Sequence, residues 1–192
     1  MGGRENIKSE LLKRKISAII RTDDQKVAEQ AMLAAVVGGF RILEFTLTTP
    51  GALNLITQFR ENEDLIVGAG TVMSPTNVQE AVEAGAQFLV SPIYNEEVIR
   101  ESGRLDTVSI PGTYTATEME TAHQAGADLV KLFPAPENVA EYIRFILGPQ
   151  PYLNIFPTSG VHLDNMLDVL RAGAAGAGFV RPLFDPETIR NK

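Results

Sequence analysis

The chain has 192 residues, 44% of them hydrophobic and 21% charged, enough for one domain with a sizeable core. Its net charge of −7 offers no basic footprint for nucleic acid, so an anionic ligand needs a local positive site against that background. With no cysteine, disulfides, thiolate catalysis and thiolate metal sites are excluded; the two histidines, His123 and His162, make no zinc pattern, and no apolar run approaches membrane-spanning length.

Residues 1–15 are polar and charged, without a signal-peptide core, which fits a cytoplasmic protein. From there strand and helix alternate. Residues 16–21 read as a first strand, and 25–37 as an amphipathic helix closed by Gly38 and Gly39. Residues 42–47 form a second strand. Pro50 is expected in the first turn of the next helix, where its missing N–H costs nothing. Residues 65–71 are a third strand. Ser74 and Pro75 read as N-cap and first helical residue ahead of 77–84. A fourth strand, 88–92, precedes a short helix, 95–102, expected to end at Gly103. Strand 107–111 and helix 115–125 come next, then a sixth strand carrying Lys131, a helix at 138–147, a strand at 154–158, a helix at 164–172 and an eighth strand at 176–180.

Three helices end alike, at Gly85, Gly126 and Gly173, each just ahead of an apolar strand and each where a left-handed C-terminal residue is wanted. Roughly eight parallel strands in such a chain predict an α/β protein, a (β/α)8 TIM barrel forming a single domain over 1–192. Residues 185–192 supply only a stub of a final helix. The C-terminal helix is therefore expected to be shortened, with the seam beside it exposed or covered by another subunit. A doubly wound sheet is the alternative, but no GxGxxG follows the first strand.

Lys131 stands inside the apolar run Leu129-Val130-Lys131-Leu132-Phe133, where an ammonium is costly. Burial lowers a lysine pKa and frees the neutral amine to attack a carbonyl and form a Schiff base. Glu44 has the same oddity among Ile42, Leu43, Phe45 and Leu47; strand alternation places it on one face with Thr46 and Thr48. Burial raises a carboxylate pKa toward the range useful for moving protons. A structural Glu44–Lys131 ion pair would also account for both residues, but the two taken together point to catalysis.

Other polar residues fall at strand ends, where the active site of a barrel lies. They are Arg21, Thr71, Ser91 with Pro92, Pro111-Gly112-Thr113 and Thr158-Ser159-Gly160. The last group either presents backbone N–H groups to an anion or is an ordinary turn of small residues. Gly68-Ala69-Gly70 either admits a ligand closely or serves tight packing. Arg21 and Arg181 are the basic residues expected to flank the mouth.

Six ordered segments, from Leu43-Glu44-Phe45-Thr46-Leu47 through Val67–Val72, Phe88–Pro92, Ile110–Thr113 and Val130–Ala135 to Pro157-Thr158-Ser159-Gly160-Val161, resemble the 2-keto-3-deoxy-6-phosphogluconate / 4-hydroxy-2-oxoglutarate aldolases, including the 6-phosphogalactonate branch. The resemblance spans about 16–184. It implies a homotrimeric, metal-independent class I aldolase that needs no cofactor and works through a pyruvate Schiff base on a small-molecule sugar acid, with no nucleic-acid or membrane partner. By resemblance, Lys131 is the Schiff-base lysine and Glu44 the general acid/base. Thr71 lies near the pyruvate carboxylate and Pro92 lines that pocket, with Thr48, Thr113 and Phe133 completing the substrate contacts. Thr158, Ser159 and Gly160 match the phosphate loop, and Gly178 and Phe179 its partner after the eighth strand.

Three positions depart from the pattern. Thr48 stands where the phosphogluconate enzymes carry a carboxylate-binding arginine; the phosphogalactonate branch uses an arginine at the end of strand one, which Arg21 matches. Ser159 replaces the usual second glycine of the phosphate loop. Arg181 follows strand eight, where it either holds phosphate bidentately or blocks the site. The resemblance thus implies retro-aldol release of pyruvate and an aldehyde such as glyceraldehyde 3-phosphate from a 6-phosphorylated 2-keto-3-deoxy sugar acid. Cleavage of 4-hydroxy-2-oxoglutarate, decarboxylation of oxaloacetate and a non-catalytic phosphosugar-binding barrel are the alternatives.

Overall fold

All named strands run parallel, and their pairing can be followed in a circle. In the computed structural model, which describes residues 3–181 and 183–184, β1 (Ile16–Ile20), β2 (Ile42–Thr46), β3 (Ile66–Gly70), β4 (Phe88–Val90), β5 (Val108–Ile110) and β9 (Ala177–Phe179) form one sheet in the order β5-β4-β3-β2-β1-β9. A second sheet orders β6 (Gly112–Thr113), β7 (Val130–Leu132) and β8 (Ile155–Pro157). Only Pro111, which has no N–H to give, separates β5 from β6. Its carbonyl still accepts from Lys131 N at 2.8 Å, so the two segments act as one strand. At the other seam Thr158 bridges Gly178, and Ala175 N donates to the Ile155 carbonyl at 2.8 Å.

The period-two alternation of the strands sorts the core into an inside and an outside. Ile42, Ile66, Phe88, Val108, Ile110 and Phe156 pack with one another between the strands. Their neighbours Leu43, Phe45, Val67 and Leu89 point the other way, onto helices α2 (Gln25–Val37), α3 (Ala52–Arg60) and α4 (Pro75–Glu83). Opposite, Val130, Leu132 and Ile155 meet α6 (Ala116–Gln124), α7 (Val139–Leu147) and α8 (Met166–Arg171). Gly68 is required by this interior: a Cβ there would run into the Phe88 ring.

The N-terminal segment, expected only to be polar, is helix α1 (Gly3–Arg14). It contributes a single fully buried side chain, Leu11, to the interior cluster, worth about 1.5–3 kcal/mol. Arg4 fixes the helix onto the buried Asp128 carboxylate, its Nε donating to the two oxygens at 2.9 and 3.1 Å; the same carboxylate accepts from Ser109 N at 3.0 Å.

Two helix boundaries differ from the sequence reading. Pro50 does not enter α3, because Gly51 takes the N-cap in a left-handed conformation and the helix starts at Ala52. Gly103 does not end α5 (Glu96–Arg104); Asp106, at φ 51°, takes the left-handed position just beyond it. Ser74 and Pro75 cap α4 as expected, and Gly85, Gly126 and Gly173 all have φ near 100°. The expected stub at 185–192 lies outside the described residues. No described helix is long and apolar enough to cross a membrane.

Candidate active site

A cavity of about 450 Å³ opens at the C-terminal ends of the strands. Lys131 and Glu44 both line it, although each is almost wholly shielded from solvent, at 7% and 3% exposure. Lys131 is held from both directions along its strand: its N–H bonds Pro111, and its carbonyl accepts from the buried Thr113 hydroxyl at 2.9 Å. Its Nζ lies 4.8 Å from the centroid of the Phe133 ring, a cation–π distance. Glu44 sits over Gly70, where any Cβ would strike its carboxylate. Of the two glycines in that segment, one thus serves packing and the other the approach of a functional side chain.

Burial pushes the Lys131 amine below the ordinary lysine range; Glu44 pulls it back up and Arg21 drives it down again. Burial pushes the Glu44 carboxyl up, while Lys131 and Arg21 draw it down. Each perturbation brings the group's pKa closer to neutrality. Among the ion pairs within 4.0 Å, none joins Glu44 to Lys131, so the two groups face a common space rather than closing on each other. A purely structural ion pair is therefore not what the residues form.

Arg21, at the end of β1, also lines the cavity, and its Nη2 donates to the Thr71 hydroxyl at 3.0 Å. Thr71 has φ 60°, a left-handed conformation that is rare and strained for a β-branched residue. Thr158, Ser159 and Gly160 also line the cavity, as do Gly178 and Arg181. Ser159 (φ 66°) and Gly160 (φ 71°) are consecutive left-handed residues, so a glycine at 159 is what the backbone prefers. Gly160 also has no room for a side chain, since a Cβ would meet the Ala135 carbonyl at 2.8 Å.

The cavity brings together Arg21, Glu44, Lys131, Phe133, Thr158, Ser159, Gly160, Gly178 and Arg181 of the expected set. It is not lined by Thr48, Thr71, Pro92, Thr113 or Phe179. β2 ends at Thr46, so Thr48 does not continue its face; it lies exposed in the following turn with its hydroxyl 3.2 Å from that of Thr46. Phe179 follows the inward-facing Gly178, and its ring packs with Val161 and Ala177 in an outer cluster. Pro92 presents its carbonyl to Gly112, and Thr71 and Thr113 act by holding Arg21 and the Lys131 strand.

Ile19, Val161, His162 and Val180 line the cavity without having been anticipated. Asn165 was missed as well. Its Nδ2 donates to the Gly160 carbonyl at 2.8 Å and its Oδ1 accepts from His162 N at 2.9 Å, which fixes the loop at two points. An Asn a few residues beyond a small-residue turn is the sequence signal for such a brace. Among the described residues no group of three or more His, Asp or Glu side chains is arranged to hold a metal.

The family model described as "KDPG and KHG aldolase" matches residues 7–191. The chain belongs to this aldolase family. It is 36% identical over 155 residues to the 2-dehydro-3-deoxy-phosphogluconate aldolase of Treponema pallidum, covering 78% of this chain and 73% of that one. It is 33% identical over 172 residues to the 2-dehydro-3-deoxy-6-phosphogalactonate aldolase of Escherichia coli, covering 87% and 83%. Among solved structures, the KDPG aldolase of Legionella pneumophila with pyruvate captured as a covalent carbinolamine superposes with a TM-score of 0.84 at 26% identity, covering 96% of this chain and 91% of that one.

Proposed function

We propose that this member of the KDPG and KHG aldolase family is a class I aldolase, releasing pyruvate and an aldehyde from a 2-keto-3-deoxy sugar acid. The observation that carries the reading is a lysine and a carboxylate, both buried and both perturbed toward neutrality, facing one cavity without closing into an ion pair. The neutral Lys131 amine attacks the C2 carbonyl, and loss of water from the carbinolamine gives an imine. Protonated, the imine accepts the electron pair of the C3–C4 bond as that bond breaks, while the C4 hydroxyl proton passes to Glu44. The aldehyde leaves, the enamine takes a proton at C3, and water hydrolyses the resulting imine to pyruvate. Each step is served by groups the chain itself supplies, and the reading is of a metal-independent enzyme without a cofactor.

Arg21 is the cation placed to bind the substrate carboxylate, since Thr48 carries no charge and lies outside the cavity. That supports a substrate of the phosphogalactonate type. Thr158, Ser159 and Gly160 with Gly178 and Arg181 form the wall for the distal phosphate. The enzyme is proposed to be a single (β/α)8-barrel domain, cytoplasmic, acting as a homotrimer. Exposed Met73, Ile93 and Tyr114 on successive strand–helix connections support an apolar contact between subunits.

Borohydride reduction in the presence of pyruvate tests the mechanism: a pyruvyl adduct on Lys131 is expected, and its absence overturns the reading. A coupled pyruvate assay across phosphorylated and unphosphorylated 2-keto-3-deoxy acids, with 4-hydroxy-2-oxoglutarate and oxaloacetate alongside, ranks the substrates. Sedimentation at micromolar concentration tests the trimer, which a monomeric mass contradicts.

A further inference from the structure

The short connection that carries Arg21 from β1 into α2 leans on the turn after β2 at two points. Thr22 N donates to the Thr49 hydroxyl at 3.3 Å. Gln25, the first residue of α2, lays its side chain over Gly51, which is left-handed at φ 69° and has no room there for a Cβ. Thr22 is also tied into the start of the helix. Its hydroxyl accepts from Asp24 N at 3.4 Å, and Asp24 caps α2 by accepting from Lys26 N and Val27 N. The guanidinium of Arg21 meets Thr71, just past β3. Arg21 is itself exposed, so these hydrogen bonds, rather than packing, restrict where its charge stands.

The hydroxyl that receives Thr22 N is itself directed. Thr49 and Thr46 are both buried, at 2% and 1% exposure. Their hydroxyl oxygens lie 3.1 Å apart, and that of Thr46 lies 3.2 Å from that of Thr48. An amide N–H only donates, so Thr49 Oγ accepts from Thr22 and has one proton to give. Thr46 Oγ is the hydroxyl that takes it, and Thr46 in turn donates to Thr48, the exposed outer member. One direction thus runs through the set, and both buried hydroxyls are paired, as buried hydroxyls nearly always are. Thr46 stands two residues beyond Glu44 on the same face of β2, so the chain joins the strand of the carboxylate to the loop of the cation.

We infer that Thr49 is a positioning residue for the substrate carboxylate: through Thr22 it holds the backbone just beyond Arg21, while Thr46 sets the direction of its hydroxyl. The inference rests on the proposed role of Arg21 as the cation that binds that carboxylate. Thr49 does not line the cavity, so it acts through Arg21 and not on the substrate. Thr71 holds the tip of the arginine and Thr49 its root. An arginine left free on an exposed turn has to be ordered by each ligand it binds, which lowers affinity. Thr48, uncharged and outside the cavity, then serves the carboxylate site indirectly, as the outer end of the chain that leads back to Arg21.

The experiment is borohydride trapping on the full chain, with pyruvate as the probe and its half-saturating concentration as the readout, arranged as a double-mutant cycle. Thr49→Val removes the acceptor and keeps the shape. It should raise the half-saturating concentration about two- to tenfold, the effect of losing one hydrogen bond, and by more than it lowers the trapping rate at saturation. Thr49→Ser keeps the acceptor and should restore wild-type saturation. Arg21→Met should raise the half-saturating concentration on its own, and in that background Thr49→Val should add nothing, which a general loosening of the fold would not produce. An unchanged half-saturation in Thr49→Val, a serine variant as weak as the valine one, or a Thr49→Val effect that survives in Arg21→Met overturns the inference. Thr49→Ala is read in the same way if the valine variant does not fold. An Arg21→Met that takes pyruvate as well as wild type refutes the arginine reading, and a wild type that traps no pyruvate refutes the aldolase reading. Each of these failures is seen without any Thr49 variant, and each overturns this inference with it.

Discussion

Replacing Glu44 with glutamine keeps the shape and much of the hydrogen-bonding capacity of the side chain while removing its ability to take a proton. Among the described side chains lining the cavity Glu44 is the sole carboxylate; Arg21 and Arg181 are cations, and His162 stands at the mouth, more than half exposed. No neighbour is therefore placed to accept the C4 hydroxyl proton in its stead. General acid–base catalysis contributes roughly 10²–10⁴-fold, about 3–5 kcal/mol of barrier, and that is the loss expected in kcat for Glu44→Gln. KM should change little, because the carboxylate binding proposed for Arg21 is untouched. A second consequence follows from the charge. Glu44 is the group that pulls the Lys131 amine back up against burial. Without it the amine sits lower still, and the acidic limb of imine formation moves to lower pH. The assays are steady-state pyruvate release and the pH dependence of borohydride-trapped pyruvate on Lys131. A kcat within tenfold of wild type, or a trapping limb displaced to higher pH, would refute the assignment.

Gly70→Ala places a Cβ against the Glu44 carboxylate and should displace it by about an ångström, costing roughly 10²-fold in kcat with the fold retained by circular dichroism. Ser159→Gly relieves a left-handed serine worth roughly 1–2 kcal/mol, offset by about 0.4–1 kcal/mol of unfolded-chain entropy, so a rise in Tm of a few degrees with activity kept is expected from calorimetry. Thr71→Gly should gain similarly in Tm but raise KM, because it removes the hydroxyl that holds Arg21. The double variant Lys131→Met, Glu44→Gln should be inactive and, by denaturant unfolding, more stable than wild type near neutrality, because neither replacement carries a charge to be desolvated. The sign follows from the shifts. The Glu44 carboxyl is pushed up, so its burial cost is absent at low pH and grows as pH rises toward its folded value. The Lys131 amine is pushed down, so its cost is absent above the ordinary lysine range and grows as pH falls toward its folded value. The gap is thus widest between the ordinary carboxylate and lysine ranges.

What the sequence revealed, and what it hid, follows from how strongly each feature departs from a local rule. Lys131 and Glu44 were visible because a charge inside an apolar strand is an energetic anomaly that no packing preference produces. Gly85, Gly126 and Gly173 were visible because a positive φ at a helix end selects one residue type. Helix α1 was invisible as an element because only Leu11 among its side chains is fully buried, with Ile7 and Leu12 partly so, and it owes much of its anchoring to Arg4 and Asp128, 124 positions apart. Pro50 and Gly103 misled because each fits its expected role locally, while Gly51 and Asp106 take the left-handed positions that set those helix ends. Thr48 and Phe179 show the limit of alternation. One lies past the point where β2 stops, and the other is turned outward by the glycine before it. Asn165 acts through two loop contacts, with Gly160 and His162, that only the folded turn brings to it.

Among the described residues Leu11 fills the interior of the strand circle beneath the cavity. Substrate, aldehyde, pyruvate and the water that hydrolyses the imine are then expected to come and go through the cavity that Arg181 and His162 also line. While the aldehyde is still in place the bond just broken can be remade, and only protonation of the enamine at C3 commits the intermediate to hydrolysis. By microscopic reversibility the same lysine and carboxylate serve the joining of pyruvate to an aldehyde as well as the parting, with the concentrations of sugar acid, pyruvate and aldehyde setting the direction.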